Sequence, residues 1–177
     1  MHEPSARLAI RDAAESDVPA IAAIYAGHVL HGTASFEEIP PDLDEMIRRY
    51  REIRDSDRPY LVAEVDGRLA GYAYAGAYRT RTAYRFTLED SIYLDPSSAG
   101  KGVGTRLMAA LIERCEAGPW REIVAIIGDR ANEPSIALHR KFGFVHVGTL
   151  RNVGFKHGRW LDCVVMQRAL RRAESHG

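Results

Sequence analysis

Three glycines at alternate positions, Gly100, Gly102 and Gly104 in "SSAGKGVGTRLMAALIERC", stand between the strand-like stretch "SIYLD" and a helical pattern. Such a loop lets backbone come close to a ligand, and the helix behind it offers unpaired amides and the positive end of its dipole. The chemistry this suits is anion binding, phosphate above all. Two common phosphate loops are excluded by spacing. A G-x-G-x-x-G fingerprint would have to end at Thr105 or Leu107, and a G-x-x-x-x-G-K-[ST] loop would need glycine at Asp95 and a hydroxyl at Gly102. A tight turn with no ligand is the other reading of the same residues.

Proton chemistry has two candidates near this loop. Glu89, in "TLEDS", lies on the strand ahead of it; a partly desolvated carboxylate there is a base able to deprotonate an ammonium. Its alternative is a solvated side chain or an ion pair with Arg79, Arg81 or Arg85. Asp90 points to the opposite face of the strand, so only one of the two carboxylates can meet a given amine. His139, in "LHRKFGF", is either a proton donor or acceptor or a structural imidazole. Arg79 and Arg81 in "AYRTRTAYRF" would suit a substrate carboxylate, with a solvated loop as the alternative.

The elements that must position these groups follow from periodicity. "RLAIRDA" alternates as a strand. "SDVPAIAAIYAGHVL" is helical, with Ser16 or Asp17 as its cap, and Asp42 with Glu45 forms a capping box for "LDEMIRRYREIRDS". "YLVAEV" and "RLAGYAYAG" flank the turn Asp66-Gly67 as a hairpin, and "TLEDSIYLD" is a further strand. After the glycine loop, Leu107, Met108, Leu111 and Cys115 form an apolar helical stripe. "REIVAII" reads as a strand buried on both faces; Pro134 opens a short helix ending at Gly143. "FVHVGTLRNVGF" and "RWLDCVVMQRAL" close the chain around "KHGR". The order β-α-α-β-β-β-α-β-α-β-β predicts an α/β domain around one mixed sheet over residues 1–170, with 171–177 as a frayed tail.

The 177 residues fit a single domain, 46% hydrophobic and 27% charged. Lys+Arg and Asp+Glu both number 24, which argues against a nucleic-acid binder acting through a general basic field. The N-terminus shows no signal-peptide pattern and no apolar run spans a bilayer, so a soluble cytoplasmic protein without membrane partners is expected. Cys115 and Cys163 are the only cysteines, with no C-x-x-C pair, which supports neither a disulfide framework nor a zinc ribbon.

The glycine loop, the strand before it and "NEPSIALHRKFGF" together resemble the GNAT superfamily of acetyl-CoA-dependent N-acetyltransferases. Gly102 and Gly104 fill the glycines of its R/Q-x-x-G-x-G/A loop; Asn132, Ser135, Leu138, Gly143 and Phe144 match its later segment. Two positions depart: Ala99 stands where Arg or Gln is usual, and His139 where many members have Tyr. The stretches "SFEEIP", "YLVAEVDGRLAGYAYAG", "TLEDSIYLD" and "VGFKHGRWLDCVVMQR" resemble the phosphinothricin and methionine sulfoximine acetyltransferase branch, from about residue 7 to 170.

The resemblance implies a GNAT fold with strands splayed at the acetyl-CoA site and no metal. It implies Glu89 and His139 as catalytic groups, with His139 either protonating the CoA sulfur or assisting Glu89 through water. Ser91, Ile92, Tyr93 and Leu94 would line the pantetheine arm, with an N–H of Ile92 or Tyr93 polarising the thioester. Ala99, Gly100, Lys101, Gly102, Val103, Gly104 and Thr105 would wrap the pyrophosphate, with Asn132, Ser135 and Lys141 nearby. Asn132 is alternatively a helix cap. Phe36, Tyr78, Arg79, Arg81, Tyr84 and Thr87 would form the pocket of a small amino-acid-like acceptor. Lys156 and Trp160 would border it, and the branch is expected to form homodimers. Other acceptors (a polyamine, an aminoglycoside, a protein N-terminus) and a non-catalytic acyl-CoA-binding module are the alternatives.

Overall fold

The computed structural model describes residues 7–171. Its elements run β1 (Leu8–Asp12), α1 (Val18–His31), α2 (Leu43–Arg54), β2 (Tyr60–Val65), β3 (Arg68–Ala77), β4 (Thr87–Leu94), α3 (Val103–Glu116), β5 (Glu122–Gly128), α4 (Glu133–Lys141), β6 (Val145–Lys156) and β7 (Arg159–Ala169). This is the order read from periodicity. Of the expected tail, all but residue 171 lies outside the described residues. Among the described residues, no helix is long and apolar enough to cross a membrane.

One seven-stranded sheet has the order β1-β2-β3-β4-β5-β7-β6. Every neighbouring pair is antiparallel except β4–β5, joined in parallel by the crossover through α3. β5 therefore sits between two strands, and its Ile123, Val124, Ala125 and Ile127 are buried.

Alternation divides the core between the two faces of the sheet. On one, Ala73 and Ala75 of β3 and Leu88 of β4 pack with Leu107, Met108, Leu111 and Cys115 of α3. On the other, Tyr60, Tyr72 and Tyr74 pack with Ile21, Ile24 and Tyr25 of α1 and Met46 and Tyr50 of α2. The small alanines let α3 approach closely, while the tyrosines fill the wider gap beneath two helices.

Two expected caps differ in detail. Asp17 precedes α1 but makes no side-chain cap there; its carboxylate accepts from Ala14 N–H and pairs with Arg11 at 2.7 Å. Asp42 does cap α2, accepting from Glu45 N–H at 2.8 Å, but the Glu45 carboxylate turns to Arg48 and Arg49 instead of completing the box. In both cases a guanidinium draws the carboxylate away from the cap geometry read from the sequence.

Candidate active site

The parallel ladder between β4 and β5 runs from Thr87↔Glu122 to Asp90↔Ala125 and stops there, although both strands continue. Beyond that point β4 is held by β3 as far as Gly71↔Leu94, and β5 by β7 as far as Gly128↔Cys163. Gly71 shows why β4 leans away: a Cβ there would lie 2.6 Å from a Leu94 methyl and 2.9 Å from the Tyr93 carbonyl. His28 of α1 fixes the same strand end, its Nε2 donating to the Leu94 carbonyl at 2.7 Å. Between the diverging strands opens a cleft of about 260 Å³. Ser91, Ile92, Tyr93 and Leu94 form one wall, Ile126, Ile127 and Gly128 the other; Asn132, ahead of α4, and Ser135, Leu138 and His139 of α4 close it. Its strand edges carry backbone groups that have lost each other as partners, ready for an extended ligand rich in amides.

The glycine loop adjoins the mouth of this cleft. Gly100 (φ 74°) and Gly102 (φ 77°) adopt left-handed conformations, and a Cβ on either would meet nothing within 4 Å. They are glycine for backbone reasons and face open space. Gly104 is close to its neighbours instead: a Cβ would lie 3.3 Å from Leu94 and 3.5 Å from Leu138, both of the cleft lining. The first bond into α3 is Arg106 N–H to Gly102 C=O, and Gly102 supplies no side-chain cap. The amides of Val103, Gly104 and Thr105 thus have no intrahelical acceptor and are available to an anion.

Glu89 is half-buried, and its side chain makes no hydrogen bond or ion pair among the described residues. Burial raises its pKa above the usual 4.5, the Arg79 charge pulls it back, and Asp90 pushes it up again. Across from it on β3 stands Gly76, where a Cβ would meet nothing within 4 Å, so the space beside this carboxylate is clear. His139 lies on the other side of the sheet. It is buried, its Nδ1 donates to the Ser135 carbonyl at 2.7 Å, and its Nε2 is 2.9 Å from Asp90 Oδ2. Burial alone would lower its pKa, but the hydrogen bond and charge of Asp90, with the Ser135 carbonyl, outweigh that and raise it. The imidazole is thus held by Asp90, not by Glu89.

The sequence profile of the Acetyltransferase (GNAT) family matches residues 22–144. The chain belongs to the GNAT acetyltransferase family. A phosphinothricin N-acetyltransferase from Alcaligenes faecalis is 55% identical over 166 residues, covering 94% of this chain and 84% of its own. An L-methionine sulfoximine/L-methionine sulfone acetyltransferase from Pseudomonas aeruginosa is 41% identical, covering 89% and 92%. The crystal structure of a GNAT phosphinothricin acetyltransferase from Sinorhizobium meliloti in complex with acetyl-CoA superposes with a TM-score of 0.90. That protein is 48% identical, and the match covers 93% of this chain and 89% of that one.

Within this GNAT fold, the residues expected around the acceptor fall into two groups. Thr87 shares the Glu89 face of β4, and the connection before it packs Tyr84 edge-on to Tyr78 at 5.6 Å, with Arg79 stacked over Tyr78 at 4.4 Å. Phe36, in the α1–α2 connection, stands across the cleft and fills the space left by two glycines; a Cβ on Gly128 or Gly154 would lie 2.9 or 2.4 Å from its ring. Arg81 is exposed. Of the donor-side residues, Lys141 ends α4 exposed and outside the cleft lining, and Ala99 and Lys101 are exposed in the loop. Asn132 both caps α4, accepting from Ser135 N–H at 3.4 Å, and lines the cleft, so its two readings coincide. Lys156 is buried with Nζ donating to Ser35 C=O at 2.7 Å, while Trp160 is exposed beside Phe155.

Asp90, His28, Gly71 and Gly76 are the site residues that sequence reasoning missed. The adjacent "ED" pair did carry a signal, since alternation sends Asp90 to the face opposite Glu89. Its partner is 49 residues away, and no local pattern announces it.

Proposed function

We propose that this enzyme transfers acetyl from acetyl-CoA directly to the α-amine of a small amino-acid-like acceptor of the phosphinothricin or methionine sulfoximine type. One observation carries the reading: a cleft with open strand edges, whose lining residues Leu94 and Leu138 lie against Gly104 at the start of α3, ends where β4 and β5 rejoin, and Glu89 stands on β4 next to that point. The α3 amides and the loop would take the diphosphate, and the edges of Ser91–Leu94 the amide-bearing arm. An N–H of that strand would draw charge from the thioester oxygen.

Glu89 would take a proton from the acceptor ammonium, freeing the lone pair that attacks the carbonyl. Its raised pKa brings its proton affinity nearer to the task. The vacancy beside Gly76 leaves room for the amine. Arg79, whose charge reaches Glu89, would hold the acceptor's carboxylate and would disfavour polyamines and aminoglycosides. His139, held by Asp90, is the acid candidate on the donor side.

A homodimer belongs to the same reading. β6 is the sheet edge, and Val145 (65%), Val147, Leu150, Val153 (53%) and Phe155 on it, with Trp160 (62%) opposite, are exposed apolar side chains. Such an edge is an invitation to pair. Two unpaired cysteines fit a reducing cytoplasm.

The test is thiol release from acetyl-CoA with phosphinothricin, methionine sulfoximine, a panel of amino acids, a polyamine and an aminoglycoside. Turnover confined to amino-acid-like acceptors supports the reading. Binding of acetyl-CoA with no turnover on any acceptor would replace it with a non-catalytic module.

A further inference from the structure

Lys156, the last residue of β6, is 1% exposed, and its ammonium meets one acceptor, the Ser35 carbonyl at 2.7 Å. The charges of Glu38 and Glu37 reach it, but neither pairs with it, and Glu37 is engaged by Arg49 at 2.7 Å. One carbonyl satisfies one of the three N–H donors of an ammonium. A buried cation without a counter-ion is a costly way to fill space, so its place has to be explained by what it holds.

What it holds is the α1–α2 connection. Ser35 is buried; its hydroxyl lies 2.8 Å from the Tyr25 hydroxyl of α1 and accepts from Glu37 N–H at 3.2 Å. The turn after Lys156 grips the same connection upstream. His157 Nε2 donates to the Gly32 carbonyl at 3.2 Å, and Arg159 and the Thr33 hydroxyl meet on the Asp129 carboxylate at 2.6 and 3.1 Å. The residue after Ser35 is Phe36, whose ring lies on Gly128 and Gly154; a Cβ there would come within 2.9 and 2.4 Å of it. Neither glycine has a positive φ, so backbone conformation does not call for glycine at either place. At Gly154 the ring supplies the three nearest atoms to such a Cβ, which makes the glycine a seat for the ring.

This seat is on the Glu89 face of the sheet. Glu89 pairs with Val124, and alternation returns β5 to that face at Ile126 and Gly128. Four strand residues separate Val124 from Gly128, about 13 Å. That span, less the reach of the two side chains, fits a small amino acid lying between carboxylate and ring.

We infer that Lys156 is a positioning residue for the acceptor: by holding the Ser35 carbonyl it fixes the Phe36 ring on its two glycines, and the ring limits the length of the acceptor's side chain. The inference deepens the acetyl-transfer reading above and rests on it. With the amine at Glu89 and the carboxylate at Arg79, the acceptor's side chain is left to run along β5 toward Phe36. A fixed ring gives that path a definite end, and a definite end separates acceptors by size. Once the Ser35 carbonyl is released, the ring can leave its seat; small acceptors then lose a contact and larger ones gain room.

Lys156→Met keeps the packing of the apolar stem and removes the ammonium. Thiol release is measured for wild type, Lys156→Met, Phe36→Ala and the double variant, with methionine sulfoximine as the small acceptor and tryptophan as the large one. In Lys156→Met the KM for methionine sulfoximine should rise about tenfold. Its kcat at saturating acceptor and the KM for acetyl-CoA should stay within about twofold of wild type. The preference for methionine sulfoximine over tryptophan, as a ratio of kcat/KM values, should fall by about tenfold or more. Phe36→Ala should lower it at least as far, and the double variant should add nothing to Phe36→Ala, because Lys156 acts through the ring. A lysine that only supported the fold would change stability and leave the preference where it was.

A preference within about twofold of wild type in Lys156→Met would overturn the inference, as would a full further loss in the double variant. Phe36 is exposed, so Phe36→Ala should fold even where Lys156→Met does not, and an unmoved preference there overturns the inference equally. Absence of wild-type turnover on every acceptor would refute the acetyl-transfer reading and this inference with it. Turnover with an unmoved preference refutes this inference alone.

Discussion

Replacing Gly102 by alanine tests whether the turn before α3 holds a ligand. Gly102 has φ 77°, and a Cβ there meets nothing within 4 Å, so the substitution introduces no clash. Its cost is the left-handed conformation alone, about 1–2 kcal/mol. For a domain of this size that lowers the melting temperature by about 2–8 °C. Gly67 is the matched control: it has the same φ of 77° and the same empty surroundings, but lies in the β2–β3 turn at Asp66-Gly67, away from the cleft. Both variants should lose similar stability without ligand.

The difference appears with acetyl-CoA. At a hundredfold excess over its Kd, the ligand stabilises the wild type and Gly67→Ala by about 2.7 kcal/mol. If relaxation of the turn costs Gly102→Ala one charge-assisted amide–phosphate bond, about 1.5–3 kcal/mol, affinity falls roughly 10- to 100-fold. At the same concentration the stabilisation then shrinks to about 0.4–1.4 kcal/mol. Scanning calorimetry with and without acetyl-CoA reads both quantities. Equal ligand-induced rises in the two variants would refute the assignment of this turn to the diphosphate.

Three further perturbations address the acceptor side of the site and the sheet edge. Glu89 acts as a base only when deprotonated, so kcat/KM should fall as pH drops through its folded pKa, which lies above 4.5. Arg79→Ala removes the charge that holds this value down and should move the acid limb to higher pH; an unmoved limb would separate Glu89 from the rate. Gly76→Val adds a side chain where a Cβ meets nothing within 4 Å, so stability should hold while acceptor kcat/KM falls by about tenfold or more, the scale of a misplaced substrate. Thiol-release kinetics at varied acceptor concentration show this, and an unchanged value would move the acceptor elsewhere. Val153→Asp places a charge on the exposed β6 edge, and sedimentation should change from dimer to monomer; a wild type already monomeric at micromolar concentration would end the dimer proposal.

The element order was legible because each helix and strand obeys its own period: "REIVAII" is continuous where β5 is buried on both faces, and "RLAIRDA" alternates at the sheet edge. The caps were legible only in part. Ser16, Asp17 and Glu45 were read against the backbone, but the arginines that claim Asp17 and Glu45 come from tertiary contacts or compete within the same turn. The glycine loop announced its conformation through residue type. The cleft did not, because it arises where two strands cease to pair. The causes of that divergence, Gly71 against Leu94 and His28 on the Leu94 carbonyl, join residues far apart in sequence. His139 stood out as a residue, whereas its tie to Asp90 needed the third dimension.

The wall that the proposed function offers to the acyl donor consists largely of main chain, and main chain is the part of a protein that substitution alters least. Side chains at 91–94 and 99–105 can therefore drift widely without closing the donor site, and this chain carries alanine at position 99 on those terms. In the proposed reading, recognition of the amine rests instead on side chains from the α1–α2 and β3–β4 connections, such as Phe36, Tyr78 and Arg79. A new acceptor preference should be obtainable by exchanging those two connections alone, with the sheet and its coenzyme chemistry left as they are.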